Sequence, residues 1–276
     1  MNVVELPTES DPVRVVEGDC LDVLRSLPDG CVDAVVTDPP YGQTNEAYDG
    51  PGAVSLRPDV WRECARVCKP DAALVSFAGA PTYHRIATAI ESGGWKVRQM
   101  WAWVYRDGMI TSAYPQEGFD RLAPAMDPIV FATRGKVLLN VERVGDPWKA
   151  TRNTAGYSDR ASLCRTTGAG GHYPRSVVAD DVPGFEYFVL GRTSHAARKE
   201  GKGHPNRKPL ALMRWMVAKL PGGLILDPFA GSGATGIAAV SENRRCLLVE
   251  KEPAYADICR RRVREAMGTG LLAGVD

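Results

Sequence analysis

Short apolar runs recur along the chain, each closed by Gly, Pro or Asp and separated from the next by a segment with helical spacing. Residues 13–17 (VRVVE), 33–37 (DAVVT), 72–77 (AALVSF), 96–105 (KVRQMWAWVY) and 128–133 (PIVFAT) read as strands, with helices at 20–27, 57–68 and 82–91. The alternation returns at the far end as helix 208–220, strand 223–227 (GLILD), helix 234–241, strand 246–250 (CLLVE) and helix 254–266. Strands that are apolar throughout are buried on both faces, and parallel neighbours need a crossover long enough for a helix. The pattern therefore predicts an α/β fold: a mostly parallel twisted sheet with helices on both faces. Leu210, Met213 and Val217 fall near one face of helix 208–220, and Trp101 and Trp103 alternate as core residues of their strand.

Between about 136 and 203 the alternation stops, and the chain becomes rich in Gly, Thr, Ser and Arg. Arg143 to Arg207 holds eleven Lys/Arg against six Asp/Glu, about +5 in a chain whose formal net charge is +1, so the remainder is about −4. A basic, loop-rich segment suits a polyanion, because each phosphate contact releases condensed counterions. The expected organisation is one catalytic domain from 1–135 and 204–276, interrupted by a recognition insertion at 136–203. No apolar run approaches the roughly 20 residues needed to span a bilayer, and the first residues lack the pattern of a signal peptide. The expectation is a cytoplasmic protein of a bacterial or phage-infected cell with no membrane partner. The seven Cys form no CxxC and stand apart from the four His, so reduced thiols and no metal are expected. Cys64 and Cys68 read as two turns of the same helix.

Two turns carry chemistry. Leu224-Ile-Leu-Asp227-Pro228-Phe229-Ala230-Gly231-Ser232-Gly233 is an apolar strand, a glycine turn and the start of a helix. Glycines allow close approach to a ligand, and the helix start offers unpaired N–H groups. A second strand ends in Glu250, where a carboxylate can accept from both hydroxyls of a ribose. The loop lacks the lysine of a triphosphate cradle and departs from GxGxxG, so a nucleoside ligand other than ATP or NAD is indicated. The other turn is Asp38-Pro39-Pro40-Tyr41, directly after an apolar strand, at the edge where open α/β sheets bind ligands. The prolines stiffen it and leave carbonyls without competing N–H groups. A carboxylate beside a fixed carbonyl makes an acceptor pair for a planar NH₂, and Tyr41 offers a face for the ring that bears it.

With these residues in place, the sequence resembles the amino-group DNA methyltransferases, which methylate adenine N6 or cytosine N4. Asp38–Tyr41 matches their [DNS]PP[YFW] motif, and Asp227–Gly233 their DPFxGxG loop. Glu250-Lys-Glu-Pro-Ala-Tyr255, Gly18-Asp19 with Leu21 and Leu24, and His204-Pro-Asn-Arg-Lys208-Pro209 resemble three further family segments. The catalytic turn precedes the cofactor loop, the order of the beta class, and this order points away from RNA and protein-glutamine methyltransferases of similar fold. Met126-Asp127 stands where many members have His-Glu.

The resemblance implies a Rossmann-like methyltransferase fold, S-adenosyl-L-methionine as cofactor and double-stranded DNA as partner, with a homodimer left open. It implies Asp38, Pro39, Pro40 and Tyr41 as the catalytic turn. Cofactor contacts would come from Asp227 through Gly233, from Glu250, from Asp19 near the adenine amine, and from Lys208 near the methionine carboxylate, where a solvated lysine is the alternative reading. Arg152, Arg160, Arg165 and Arg175 are candidates for DNA contacts. Asp at the first motif position favours adenine. Cytosine N4 and a catalytically weak DNA-binding or regulatory subunit are the alternatives.

Overall fold

The computed structural model describes residues 4–43, 49–104, 126–137, 139–140, 177–178 and 208–268. Eight strands among these residues form one sheet: β1 (Val13–Glu17), β2 (Val32–Thr37), β3 (Cys68–Phe77), β4 (Lys96–Val104), β5 (Met126–Thr133), β6 (Val177–Val178), β7 (Leu224–Asp227) and β8 (Arg245–Glu250). Their order is β1-β8-β7-β2-β3-β5-β4-β6. The first five run parallel, β5 is antiparallel to both β3 and β4, and β6 is parallel to β4. The helices are α1 (Cys20–Ser26), α2 (Pro58–Val67), α3 (Tyr83–Ser92), α4 (Leu210–Lys219), α5 (Ala234–Ser241) and α6 (Pro253–Gly268).

Alternation along each strand divides the core in two. Ala34 and Val36 of β2, Ile225 of β7 and Leu248 of β8 face a cluster built with α4, α5 and α6. Val35, Leu226, Leu247 and Val249 face the opposite cluster, built with α1, α2 and α3. This is the two-faced sheet expected from the uninterrupted apolar runs. Trp101 and Trp103 are buried as expected, and Trp101 stacks on Phe131 at 4.7 Å.

Two local expectations are corrected. Cys68 is not in a helix with Cys64: α2 ends at Val67, and Cys68 takes an extended conformation that opens β3. Pro70 accounts for the helix stopping here, since it drives Lys69, the residue before it, out of the helical region, and helices end at or before that position. Leu210 is exposed, at 38%, while Leu212, Met213, Met216 and Val217 form the buried face of α4. The helix starts at Leu210 itself, so the packed stripe begins two residues later. Residues 137–140 fell within the insertion by sequence, yet Val137 packs against the first cluster and the Asn140 side chain donates to the Leu220 carbonyl at 2.9 Å.

Half-buried arginines close two helix ends. Arg66 donates to the carbonyls of Leu24 (2.7 Å) and Leu27 (3.0 Å) below α1. Arg244 donates to Val217 and Leu220 at 3.2 Å each, and also to Pro221, at the end of α4. Terminal helix carbonyls need such donors, and only a planar fork reaches several at once. Among the described residues no helix is long and apolar enough to cross a membrane, and no three His, Cys, Asp or Glu are grouped as metal ligands. Arg244→Ala should cost about 2 kcal/mol of stability, read as a lower urea midpoint with unchanged slope, and Arg244→Lys should recover less than half of it.

Candidate active site

Because β1, β8, β7 and β2 are successive parallel neighbours, the chain leaves all four at the same sheet edge. Four carboxylates stand at or just past those ends: Asp19 after β1, Glu250 closing β8, Asp227 closing β7 and Asp38 after β2. Sequence separation disappears here, since Asp38 and Asp227 lie 189 positions apart on adjacent strands.

Asp227 is 2% exposed, and its carboxylate accepts three hydrogen bonds. Thr37 Oγ1 of β2 donates to Oδ1 at 2.7 Å, the Phe229 N–H to the same oxygen at 3.0 Å, and Thr235 Oγ1 of α5 to Oδ2 at 2.5 Å. Burial pushes its pKa up to about 6, although the two hydroxyls and the Phe229 N–H favour the charged form, and the nearby negative charge of Asp38 adds to the rise. The residue thus ties together the end of β2, the glycine loop and the start of α5.

The Asp38–Tyr41 turn is held from both sides. Asp49, itself buried, accepts from the Gly42 N–H at 2.7 Å, and Ser55 Oγ donates to the Pro40 carbonyl. Ser55 is fixed in turn by the Trp61 indole N–H on its carbonyl at 2.8 Å. Pro39 is buried, and among the described residues no donor reaches its carbonyl. Asp38 Oδ1 accepts from the Tyr41 hydroxyl at 2.5 Å, and Oδ2 lies 2.7 Å from Lys208 Nζ. Lys208 also donates to the Tyr41 oxygen at 2.9 Å. Sequence offered Lys208 either to a cofactor carboxylate or to solvent; its side chain is buried, and its ammonium stands on the Asp38–Tyr41 turn.

The glycine loop is shaped by Gly233, which caps α5 at φ 83°, a left-handed conformation that favours glycine. A Cβ there would also meet Cys259 Sγ at 2.7 Å. Glu250 is oriented by backbone N–H groups, from Gly231 to Oε2 at 2.7 Å and from Glu252 to Oε1 at 2.8 Å. Each carboxylate oxygen keeps a lone pair for a ligand hydroxyl. Asp19 Oδ1 accepts from the Leu21 N–H at 3.0 Å and Oδ2 from Lys251 at 3.2 Å. Burial works to raise the Asp19 pKa, but Lys251 and the Leu21 N–H outweigh it and hold the carboxyl below its ordinary value. An edge of acceptors with a glycine turn fits a ligand rich in donors and positive charge, as a nucleoside with hydroxyl, amine and sulfonium groups is.

The family described as DNA methylase (N6_N4_Mtase) matches residues 32–261, most of the chain. The chain belongs to this family. It is an amino-group DNA methyltransferase, of the adenine-N6 or cytosine-N4 kind, and its cofactor is S-adenosyl-L-methionine. The type II methyltransferase M.HpaI of Haemophilus parainfluenzae is 25% identical over 262 residues, covering 91% of this chain and 74% of that protein. Two solved structures share the fold. The putative DNA modification methylase TTHA0409 of Thermus thermophilus, complexed with S-adenosyl-L-methionine, is 24% identical with a TM-score of 0.56, covering 92% of this chain and 95% of that one. The cytosine-N4-specific PvuII DNA methyltransferase is 17% identical with a TM-score of 0.61, covering 95% and 94%.

Within this methyltransferase, sequence reading missed the residues that hold the Asp38–Tyr41 turn and the glycine loop in place. Thr37 and Thr235 had a faint signal as hydroxyls flanking an apolar strand and opening a helix; Asp49 and Ser55 had none. Arg262 is a further omission, donating from α6 to the Ser232 carbonyl at 2.5 Å and to Ser232 Oγ at 2.8 Å. Arg152, Arg160, Arg165 and Arg175 lie outside the described residues. Burial raises the thiols of Cys64 and Cys68 and pushes Cys20 and Cys259 up to about 12, so none of these is a thiolate nucleophile at neutral pH.

Asp227 also gives the enzyme a stability signature. Its raised pKa means the folded state binds a proton more tightly than the unfolded state between about pH 4 and 6. That contribution is present at low pH and lost as pH rises through about 6. The stability of wild type relative to Asp227→Asn should fall by about 2 kcal/mol from pH 4 to 7 and stay flat above. Denaturant titrations at fixed pH values check this, and a pH-independent difference would contradict it.

Proposed function

We propose that this enzyme transfers the methyl group of S-adenosyl-L-methionine to the N6 amine of an adenine flipped out of double-stranded DNA. The observation that carries the reading is the acceptor pair at the end of β2: the Asp38 carboxylate beside a buried Pro39 carbonyl that no described residue engages, while the Pro40 carbonyl is taken by Ser55. An exocyclic NH₂ has two N–H donors, and this pair offers two acceptors fixed by the proline turn.

The residues divide the work as follows. The basic segment from 143 to 207, with Arg152, Arg160, Arg165 and Arg175, holds the duplex by phosphate and base contacts. Extrusion of the base costs a few kcal/mol, least for a weakened pair, and stacking on Tyr41 offsets part of it. Asp38 and the Pro39 carbonyl accept the amine's two N–H bonds and draw its lone pair out of conjugation. Glu250 orients the ribose hydroxyls, Asp19 faces the adenine end, and the loop from Pro228 to Gly233 admits the cofactor close to its backbone. The bound cofactor supplies an electrophilic methyl on a positively charged sulfur. Transfer would join that carbon to the amine nitrogen, the carbon–sulfur electron pair staying with the departing sulfur. A proton then leaves the nitrogen through Asp38 to solvent. Such catalysis is positioning and electrostatics.

Aspartate at the head of the turn supports adenine. The fold shared with a cytosine-N4-specific enzyme supports the second reading, cytosine N4, which keeps every role above. Methylation of unmodified genomic DNA, digestion to nucleosides and mass analysis should yield N6-methyladenine. N4-methylcytosine instead would transfer the assignment to the second base, and no methylated base would reject both. Asp38→Ala should lower turnover by at least about 10²-fold while cofactor binding, followed by calorimetry, is retained. Full activity in that variant would refute the role of the turn.

A further inference from the structure

Each oxygen of Asp38 already faces a donor before any base arrives. Tyr41 donates to one at 2.5 Å, and the Lys208 ammonium lies 2.7 Å from the other. The lysine is built in: its side chain is 7% exposed, its Nζ lies 5.3 Å and 4.8 Å from the ring centroids of Tyr41 and Phe77, and the next residue, Pro209, caps α4. A solvated helix-start lysine would show none of this. An ammonium at hydrogen-bond distance from Asp38 presents the same N–H donor to the same oxygen as the amine of a target base.

We propose that Lys208 is a placeholder for the target amine, occupying Asp38 Oδ2 in the substrate-free enzyme and yielding it when the base enters. This rests on the functional reading above. Lys208 is the donor that leaves, because its flexible chain retains a second acceptor, the Tyr41 oxygen at 2.9 Å. Tyr41, three residues from Asp38 across two prolines, is held by the turn itself. Two consequences follow. In the substrate-free enzyme Asp38 is not left as a part-buried carboxylate without a charge partner, a costly state, and Lys208 on the Tyr41 oxygen stays close after the amine has taken its place. The amine also gains only the difference between its own bond and the one it displaces, so Asp38 contributes little to ground-state binding. As the nitrogen becomes positive during transfer, the attraction of Asp38 grows, and it acts on the rate rather than on affinity. Lys208 is in this sense a positioning residue that acts through Asp38.

The test uses a duplex containing the site mapped by methylation, in the presence of S-adenosylhomocysteine. Its equilibrium Kd is compared with that of a duplex whose target base lacks the exocyclic amine, purine for adenine or pyrimidin-2-one for cytosine, each target base standing opposite an abasic position so that neither breaks a pair on extrusion. Wild type should favour the amine by less than about threefold, Lys208→Met by about tenfold or more, and Lys208→Arg should return toward the wild-type ratio. A wild-type preference above threefold, or a gain below threefold in Lys208→Met, overturns the placeholder. If Lys208→Met does not fold, judged by thermal melting and S-adenosylhomocysteine binding, the wild-type ratio alone decides on the same threshold. Absence of any methylated base in the mapping step rejects the functional reading and the placeholder with it. Methylation with the wrong ratios rejects the placeholder alone.

Discussion

A buried carboxylate joins the two halves of this site. Asp227 closes β7, yet its three hydrogen bonds go to the last residue of β2, to its own glycine loop and to the first turn of α5. Apolar packing could fill the same volume, but it could not set the relative orientation of the Asp38–Tyr41 turn, the glycine loop and a helix start. A group that accepts several directional bonds at one point can. The cost shows in its raised pKa, and it follows that removing one partner would strand a charge rather than simply loosen a contact. The methyl donor and acceptor must meet at near-attack distance, and small misplacements are expensive. A rigid tie between the strands that carry them is therefore a functional requirement as much as a structural one.

From that tie outward, rigidity is passed on by neutral groups. The Trp95 indole donates to the Trp61 carbonyl at 3.0 Å, the Trp61 indole to the Ser55 carbonyl at 2.8 Å, and Ser55 to the Pro40 carbonyl. Asp49 holds the next residue beyond the turn through the Gly42 N–H. Together with two prolines, this chain fixes which carbonyl is satisfied internally and which is left to a ligand. The selection of Pro39 over Pro40 is made by Ser55, fifteen residues away, and not by the turn's own sequence.

The legible and illegible parts of the chain divide along the same physical line. The parallel strands could be read because burial on both faces imposes continuous apolar runs, and the two turns because prolines and glycines at strand ends have few other uses. Strand direction could not, since the pattern of β5 is the same whichever way it runs. Cys68 was misplaced by helical spacing that Pro70 overrides, and Leu210 by extending a stripe to a helix end. The supporting residues were faint or invisible for a different reason. Thr37, Asp49, Ser55 and Arg262 act on groups brought close only by the sheet or by loop return, and a hydroxyl in isolation carries no mark of its partner. Lys208 belonged to a recognisable segment, but its partner is decided by where α4 begins against β2 and β3.

Charge accounts for why the site needs the insertion. Asp19, Glu250, Asp227 and Asp38 share one sheet edge, and each is stabilised differently: by Lys251, by backbone N–H groups, by threonine hydroxyls and by Lys208. Among the described residues only two of the four have a cation beside them, so the edge they form has net negative character that favours a cofactor carrying a sulfonium. The same field repels a polyanionic duplex. A chain with such an edge cannot also attract DNA through it, and the sequence resolves the conflict by division, with about +5 between residues 143 and 207 and about −4 elsewhere. On the function proposed above, attraction of the duplex falls to a segment separate in sequence from the acidic edge, and only one uncharged base has to enter there. An amine, unlike a phosphate, is a donor that such a pocket welcomes, so the edge that binds the cofactor also selects which part of the nucleic acid can reach it.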